Sequence, residues 1–218
     1  MQSLRQHEIF ELEVLEGLSK AGFLRSLVFG GGTMLRVCHD LPRYSVDLDF
    51  WFSRKTDTKK FYEELLTFFK GRYQMTDFKN KHFTILYEFR GKTSDRKLKV
   101  EIRKEVLIKG VEQKIAYSKY GSMQVLVPAL SLEEMAQRKI EAIKGRTEMR
   151  DYFDLEFLLR KGIKLKLSDE EKVLLQKRIA HFKKEDYGGI LGSLLEKDLR
   201  SHYITHGFSY LLEAVRSL

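Results

Sequence analysis

The chain has 218 residues, 43% hydrophobic and 12% aromatic, which is enough apolar mass for a packed core and argues against disorder. A formal charge of +9, with 40 Lys and Arg against 31 Asp and Glu, points to a polyanionic partner. One cysteine, Cys38, excludes an intrachain disulfide and a cysteine-based zinc site, and no apolar stretch approaches the ~20 residues that span a bilayer.

The opening residues mix charges with apolar side chains and do not read as a signal peptide, so a soluble, cytoplasmic protein with no membrane partner is expected. From Glu8 to Leu18, Ile9, Phe10, Leu12, Leu15 and Leu18 recur at helical spacing. Leu27, Val28 and Phe29 form a short apolar run ending at Gly30, Gly31 and Gly32, a buried strand entering a tight turn. A helix from Thr33 to His39 leaves that turn and stops at Asp40-Leu41-Pro42. Val46, Leu48 and Phe50 then alternate with Asp47 and Asp49, giving a strand with one acidic face.

Lys59 to Phe69 reads as an amphipathic helix. Strands follow over Phe83 to Phe89 and Leu98 to Ile102, joined by a turn containing Gly91, and a further pair over Lys114 to Tyr117 and Gln124 to Val127. After Pro128 the pattern is helical, with capping boxes expected at Ser131/Glu134 and Ser168/Glu171. These elements describe an α+β protein: a mixed β-sheet flanked by helices over residues 1–128, then a helical lobe over 129–218.

The stretch that carries chemistry is Gly30-Gly31-Gly32-Thr33 followed by Asp47-Leu48-Asp49. A glycine turn opening a helix brings backbone N–H groups and the positive end of the helix dipole to phosphate oxygens. Gly31, Gly32 and Thr33 are the candidate nucleotide-binding residues, Thr33 adding a hydroxyl donor. Asp47 and Asp49 point to one side of their strand and can jointly hold a hard divalent cation through oxygen. Glu101, inside the β segment Leu98 to Ile102, is the candidate third carboxylate.

Phe29 to Arg36, then Leu41 to Phe50, closely resemble the AbiEii/AbiGii toxin family of nucleotidyltransferases, within the DNA polymerase beta superfamily and including the MenT-type toxins. The resemblance continues from Lys139-Ile140 through Arg146 to Arg150-Asp151-Tyr152-Phe153-Asp154-Leu155. It implies a nucleotidyltransferase-type sheet and a catalytic set of Asp47, Asp49, Glu101, Lys139, Asp151 and Asp154. Asp47, Asp49 and Glu101 would hold Mg²⁺ or Mn²⁺, and Lys139 would reach the triphosphate of an NTP substrate. The implied reaction moves a nucleoside monophosphate to a hydroxyl acceptor, an RNA such as a tRNA 3′ end, in a toxin paired with a cognate antitoxin protein. Spaced three apart on a helix, Asp151 and Asp154 could instead simply pair with Arg150 and Arg146.

Between Lys79 and Lys104 basic residues outnumber acidic ones, and Lys92, Arg96 and Lys97 are the candidate nucleic-acid contacts. Phe83, Tyr87 and Phe89 alternate there; such rings could stack on bases, and alternating strand aromatics are expected to face the core. Two other functions use the same features. A metal-dependent nuclease needs no phosphate-cradling turn, and Glu101-Ile102-Arg103 lacks the lysine of Glu-x-Lys nuclease sites. A non-catalytic nucleic-acid-binding protein would bind without metal or NTP.

Overall fold

The first helix sets the first layer. In the computed structural model, which describes residues 1–91 and 95–218, α1 (Gln2–Lys20) buries Leu4, Phe10, Leu15 and Leu18 along one stripe. β1 (Leu27–Gly30) is buried at every position, and α2 (Gly31–His39) starts directly from it, two residues before the expected Thr33. The helix ends on Asp40, whose left-handed φ of 62° turns the chain away before Pro42. β2 (Asp47–Phe52) and α3 (Thr58–Lys70) follow, Asp57 capping α3 by accepting from the Lys59 and Lys60 N–H groups at 3.1 Å.

The remaining strands are β3 (Gln74–Asn80), β4 (Thr84–Arg90), β5 (Lys97–Val106), β6 (Val111–Tyr117) and β7 (Gln124–Leu130). They form one seven-stranded mixed sheet in the order β3-β4-β5-β2-β1-β7-β6. β2 runs parallel to β5 and antiparallel to β1, while β1 runs parallel to β7. Alternation sends Leu48, Phe50, Ile85, Tyr87, Phe89, Val100 and Ile102 into the core, all fully buried. Phe89 packs on Phe69 of α3 at 4.6 Å and edge-on to Phe10 of α1 at 6.1 Å between ring centroids. The opposite face is left for the acids.

Leu41–Arg43 and Ser131–Leu218 form a second unit, separate from Met1–Asp40 with Tyr44–Leu130. It contains α4 (Leu132–Gly145), α5 (Met149–Arg160), α6 (Asp169–Ile179), the single turn α7 (Lys184–Asp186), α8 (Lys197–His206) and α9 (Ser209–Ser217). The expected capping box forms in full at Ser168/Glu171. At Ser131 only the Ser131-to-Glu134 half forms, because the Glu134 carboxylate accepts from Arg138 at 2.9 Å. Buried Glu156 of α5 fastens the tail: it accepts from the Tyr203 hydroxyl at 2.9 Å and the Leu211 N–H at 3.3 Å. Among the described residues no helix is long and apolar enough to cross a membrane.

Candidate active site

The glycine turn and the acidic strand meet at one point. Gly31, the first residue of α2, has φ +76°, and a side chain there would overlap Asp49 Oδ2. Only glycine combines that backbone with so close an approach. The first N–H groups of α2 lack intrahelical acceptors and face the same neighbourhood as the carboxylate, a ready anion site beside Asp49. Gly31→Ala should therefore displace Asp49, lower transfer at least about tenfold and cost roughly 1–2 kcal/mol for the left-handed backbone alone. Denaturant melts and a transfer assay check this; a variant unchanged in both would show that the turn does not hold Asp49.

β2 and β5 pair in parallel with Asp47 opposite Lys99 and Asp49 opposite Glu101. Period two puts all four side chains on one face of the sheet. Lys99 Nζ sits 3.2 Å from Asp47 Oδ2 and 3.9 Å from Glu101 Oε2. Burial alone would lower the Lys99 pKa, but Asp47, then Glu101 and Asp49, raise it. One ammonium against three carboxylates leaves this patch negative, and the patch already attracts a cation. Its hard oxygen donors fit Mg²⁺ or Mn²⁺. Among the described residues no three His, Cys, Asp or Glu side chains are gathered as a metal site, and Lys99 stands between Asp47 and Glu101.

A buried polar group on α1 holds the acidic strand from behind. His7 Nε2 lies 3.0 Å from the Val46 carbonyl, and the Thr33 hydroxyl donates to the Asp47 carbonyl at 2.6 Å. Thr33 Oγ1 is also 3.2 Å from Glu11 Oε1. Burial, then Glu8, pushes the Glu11 carboxyl well above the usual carboxylate range, so a protonated Glu11 can supply the second hydrogen of this chain. Burial lowers His7 and keeps it neutral. The Thr33 hydroxyl is thus turned inward, and what Thr33 offers a phosphate is its backbone N–H. His7, Glu8 and Glu11 had a sequence signal: they interrupt the buried stripe Leu4, Leu15, Leu18 at helical spacing.

In the helical unit Lys139, Asp151 and Asp154 come together. Lys139 Nζ lies 2.8 Å from Asp151 and 2.5 Å from Asp154, and all three residues are buried. Arg43 grips Asp154 with two bonds of 2.6 and 2.7 Å, and Arg146 donates to Asp151 at 2.8 Å. Burial would raise the Asp151 carboxyl, but Lys139 and Arg146 bring it down to about 2. The simple helix-surface pairing does not occur for Arg150, which faces Glu148 at 3.9 Å. Lys144 lies exposed between Glu141 and Glu171, away from this cluster.

The basic hairpin is less free than its residue count implies. Lys97 is tied to Glu88 at 2.7 Å and Lys79 to Asp77 at 2.8 Å; Arg96 is exposed, and Lys92 lies outside the described residues. Tyr87 and Phe89 face the core, but Phe83 does not. It caps the β3–β4 turn and is 76% exposed, because the strand alternation that buries the other two begins only at Thr84.

A family model described as the nucleotidyl transferase AbiEii toxin of type IV toxin–antitoxin systems matches residues 13–206. No curated protein matches the chain in sequence. Among solved structures, JHP933 from Helicobacter pylori is similar with a TM-score of 0.53 at 19% identity, covering 100% of this chain and 94% of that one. An antigenic nucleotidyltransferase-like protein from Paracoccidioides brasiliensis is similar with a TM-score of 0.52 at 15% identity, covering 90% and 97%. At these identities the likeness is one of fold.

Proposed function

The chain belongs to the AbiEii nucleotidyl transferase toxin family and is a nucleotidyltransferase, and from that premise we propose that it transfers a nucleoside monophosphate from an NTP to a hydroxyl of RNA, at a tRNA 3′ end. The acceptor oxygen bonds to the α-phosphorus, the bond to the β-phosphate oxygen breaks, pyrophosphate leaves, and the hydroxyl proton is released. Asp47, Asp49 and Glu101 would hold Mg²⁺ or Mn²⁺, which when bound neutralises charge on the phosphates and lowers the acceptor hydroxyl's pKa. The N–H groups of Gly31, Gly32 and Thr33 bind the triphosphate, and Glu11 and Thr33 fix the strand that carries Asp47. Lys139, Asp151 and Asp154 are proposed to serve the same reaction by resemblance to the family, Lys139 as the triphosphate contact. A cognate antitoxin is the proposed protein partner, and the cytoplasm the proposed compartment.

The observation that carries this reading is the contact of Gly31 with Asp49, across the strand pair from Glu101. It joins a phosphate-binding turn to a carboxylate set, which a nuclease would not need. The test is incubation of the protein with each labelled NTP, Mg²⁺ or Mn²⁺, and total RNA. Label should enter RNA for at least one NTP and stay out when metal is chelated. RNA shortened without NTP would establish the nuclease instead, and RNA bound with neither outcome would leave a binding protein.

A further inference from the structure

Phe83 is the most exposed aromatic ring among the described residues, and its neighbours are cationic. It lines a groove of about 420 Å³ with Thr84, Arg103, Lys104 and Glu105 at the end of the β4–β5 pair. The groove is fixed to the sheet: Thr84 pairs with Arg103, and the Lys104 N–H donates to the Phe83 carbonyl at 2.9 Å. Arg103 reaches back over the Trp51 ring, 5.5 Å from its centroid, and among the described residues neither Arg103 nor Lys104 has a carboxylate partner. Glu105 is the single acid lining the groove. His82 stands edge-on to Phe83 at 4.4 Å and steadies the ring. A large apolar ring left in water beside two unpaired cations has no role in folding that its surroundings reveal.

The placement supplies the ligand chemistry. Arg103 follows Glu101 by two residues on β5, so with its partner Thr84 it shares the acidic face, roughly 7 Å along the strand from that carboxylate. Phe83 and Lys104 alternate to the other side, and the groove wraps the end of the strand pair between them. A π-face flanked by an arginine and a lysine suits an unpaired base with its phosphates, because stacking needs a base freed from a duplex. We infer that this groove seats the single-stranded end of the RNA acceptor, one base stacked on Phe83 and the adjoining phosphates on Arg103 and Lys104. The inference rests on the proposed RNA acceptor, and it adds the residues that would seat the unpaired end of that acceptor.

Binding is measured by fluorescence anisotropy with labelled single-stranded RNA and a blunt hairpin of matched length, separately from transfer. Phe83→Ala should weaken single-strand binding roughly tenfold and leave hairpin binding little changed, with Phe83→Trp restoring it. Arg103→Gln and Lys104→Gln should each lower the slope of log affinity against log salt by about 0.7. Wild-type affinity for the single strand in Phe83→Ala would overturn the inference, as would equal losses for strand and hairpin or no binding by the parent protein. The two failures are separable. Phe83-dependent binding without nucleotide transfer would sink the catalytic reading and keep the groove, whereas transfer to RNA by a Phe83→Ala protein with normal binding would do the reverse.

Discussion

Asp47→Asn and Asp49→Asn proteins are expected to lose nucleotide transfer by roughly a thousandfold or more while remaining folded. Each substitution keeps the shape of the side chain and removes a charge that a divalent cation requires. Their stabilities should part. Asp47 holds Lys99 at 3.2 Å in a partly exposed pair, worth at most about 1 kcal/mol, so Asp47→Asn should melt slightly below the parent. Asp49 lies opposite Glu101 and contributes less than Asp47 to the attraction on Lys99, so Asp49→Asn should lose less stability than Asp47→Asn. Full transfer activity in either protein would remove these residues from the catalytic set. Thermal melts beside labelled-NTP transfer read both effects.

The second large effect belongs to the helical unit. Asp154→Ala should destabilise the protein by about 3–5 kcal/mol, because Arg43 is then left buried with its main counter-charge gone. The double substitution Arg43→Met with Asp154→Leu should recover part of the loss, since it removes Arg43 together with its partner while Lys139 keeps Asp151. A single mutant as stable as the parent would mean that water or another carboxylate reaches Arg43. The same cluster gives an acid limit. The Asp151 carboxyl sits at about 2 in the folded chain against an ordinary value of 3.8, so its contribution is complete above about pH 4. It is lost as pH falls toward 2, amounting to about 2 kcal/mol. Denaturant titrations between pH 5 and pH 2 should show that decline, and Asp151→Asn should flatten it.

Much of the sheet that carries the candidate site is legible in the sequence because its cues are local. The period of two over Val46 to Phe50 and the glycines after Phe29 place the acids and the turn without knowledge of their neighbours. β3 was missed because it is an edge strand, exposed at most positions, with no apolar alternation to reveal it. Lys99 was passed over as one lysine of a basic hairpin. Its position opposite Asp47 depends on the register of two strands 52 residues apart, which spacing along one strand does not specify. Thr33 lies at the turn, but the direction of its hydroxyl is set by the Asp47 carbonyl, with Glu11 beside it on a helix whose plainest sequence signal is its apolar spacing. Phe83 failed for the opposite reason: a pattern that holds at Tyr87 and Phe89 was extended one residue beyond the strand.

The excursion of Leu41–Arg43 into the helical unit bears on synthesis and on where the chain can be divided. Arg43 leaves the ribosome 111 residues before its carboxylate partner, so this pairing waits until α5 has been made. During that interval the sheet unit can complete its pairing while Arg43 remains solvated. A fragment beginning at Ser131 would carry Asp154 without the guanidinium that answers it. Separate expression of the helical half should therefore give a weakly folded product, rescued by supplying residues 41–43 through a circular permutation that joins them to it.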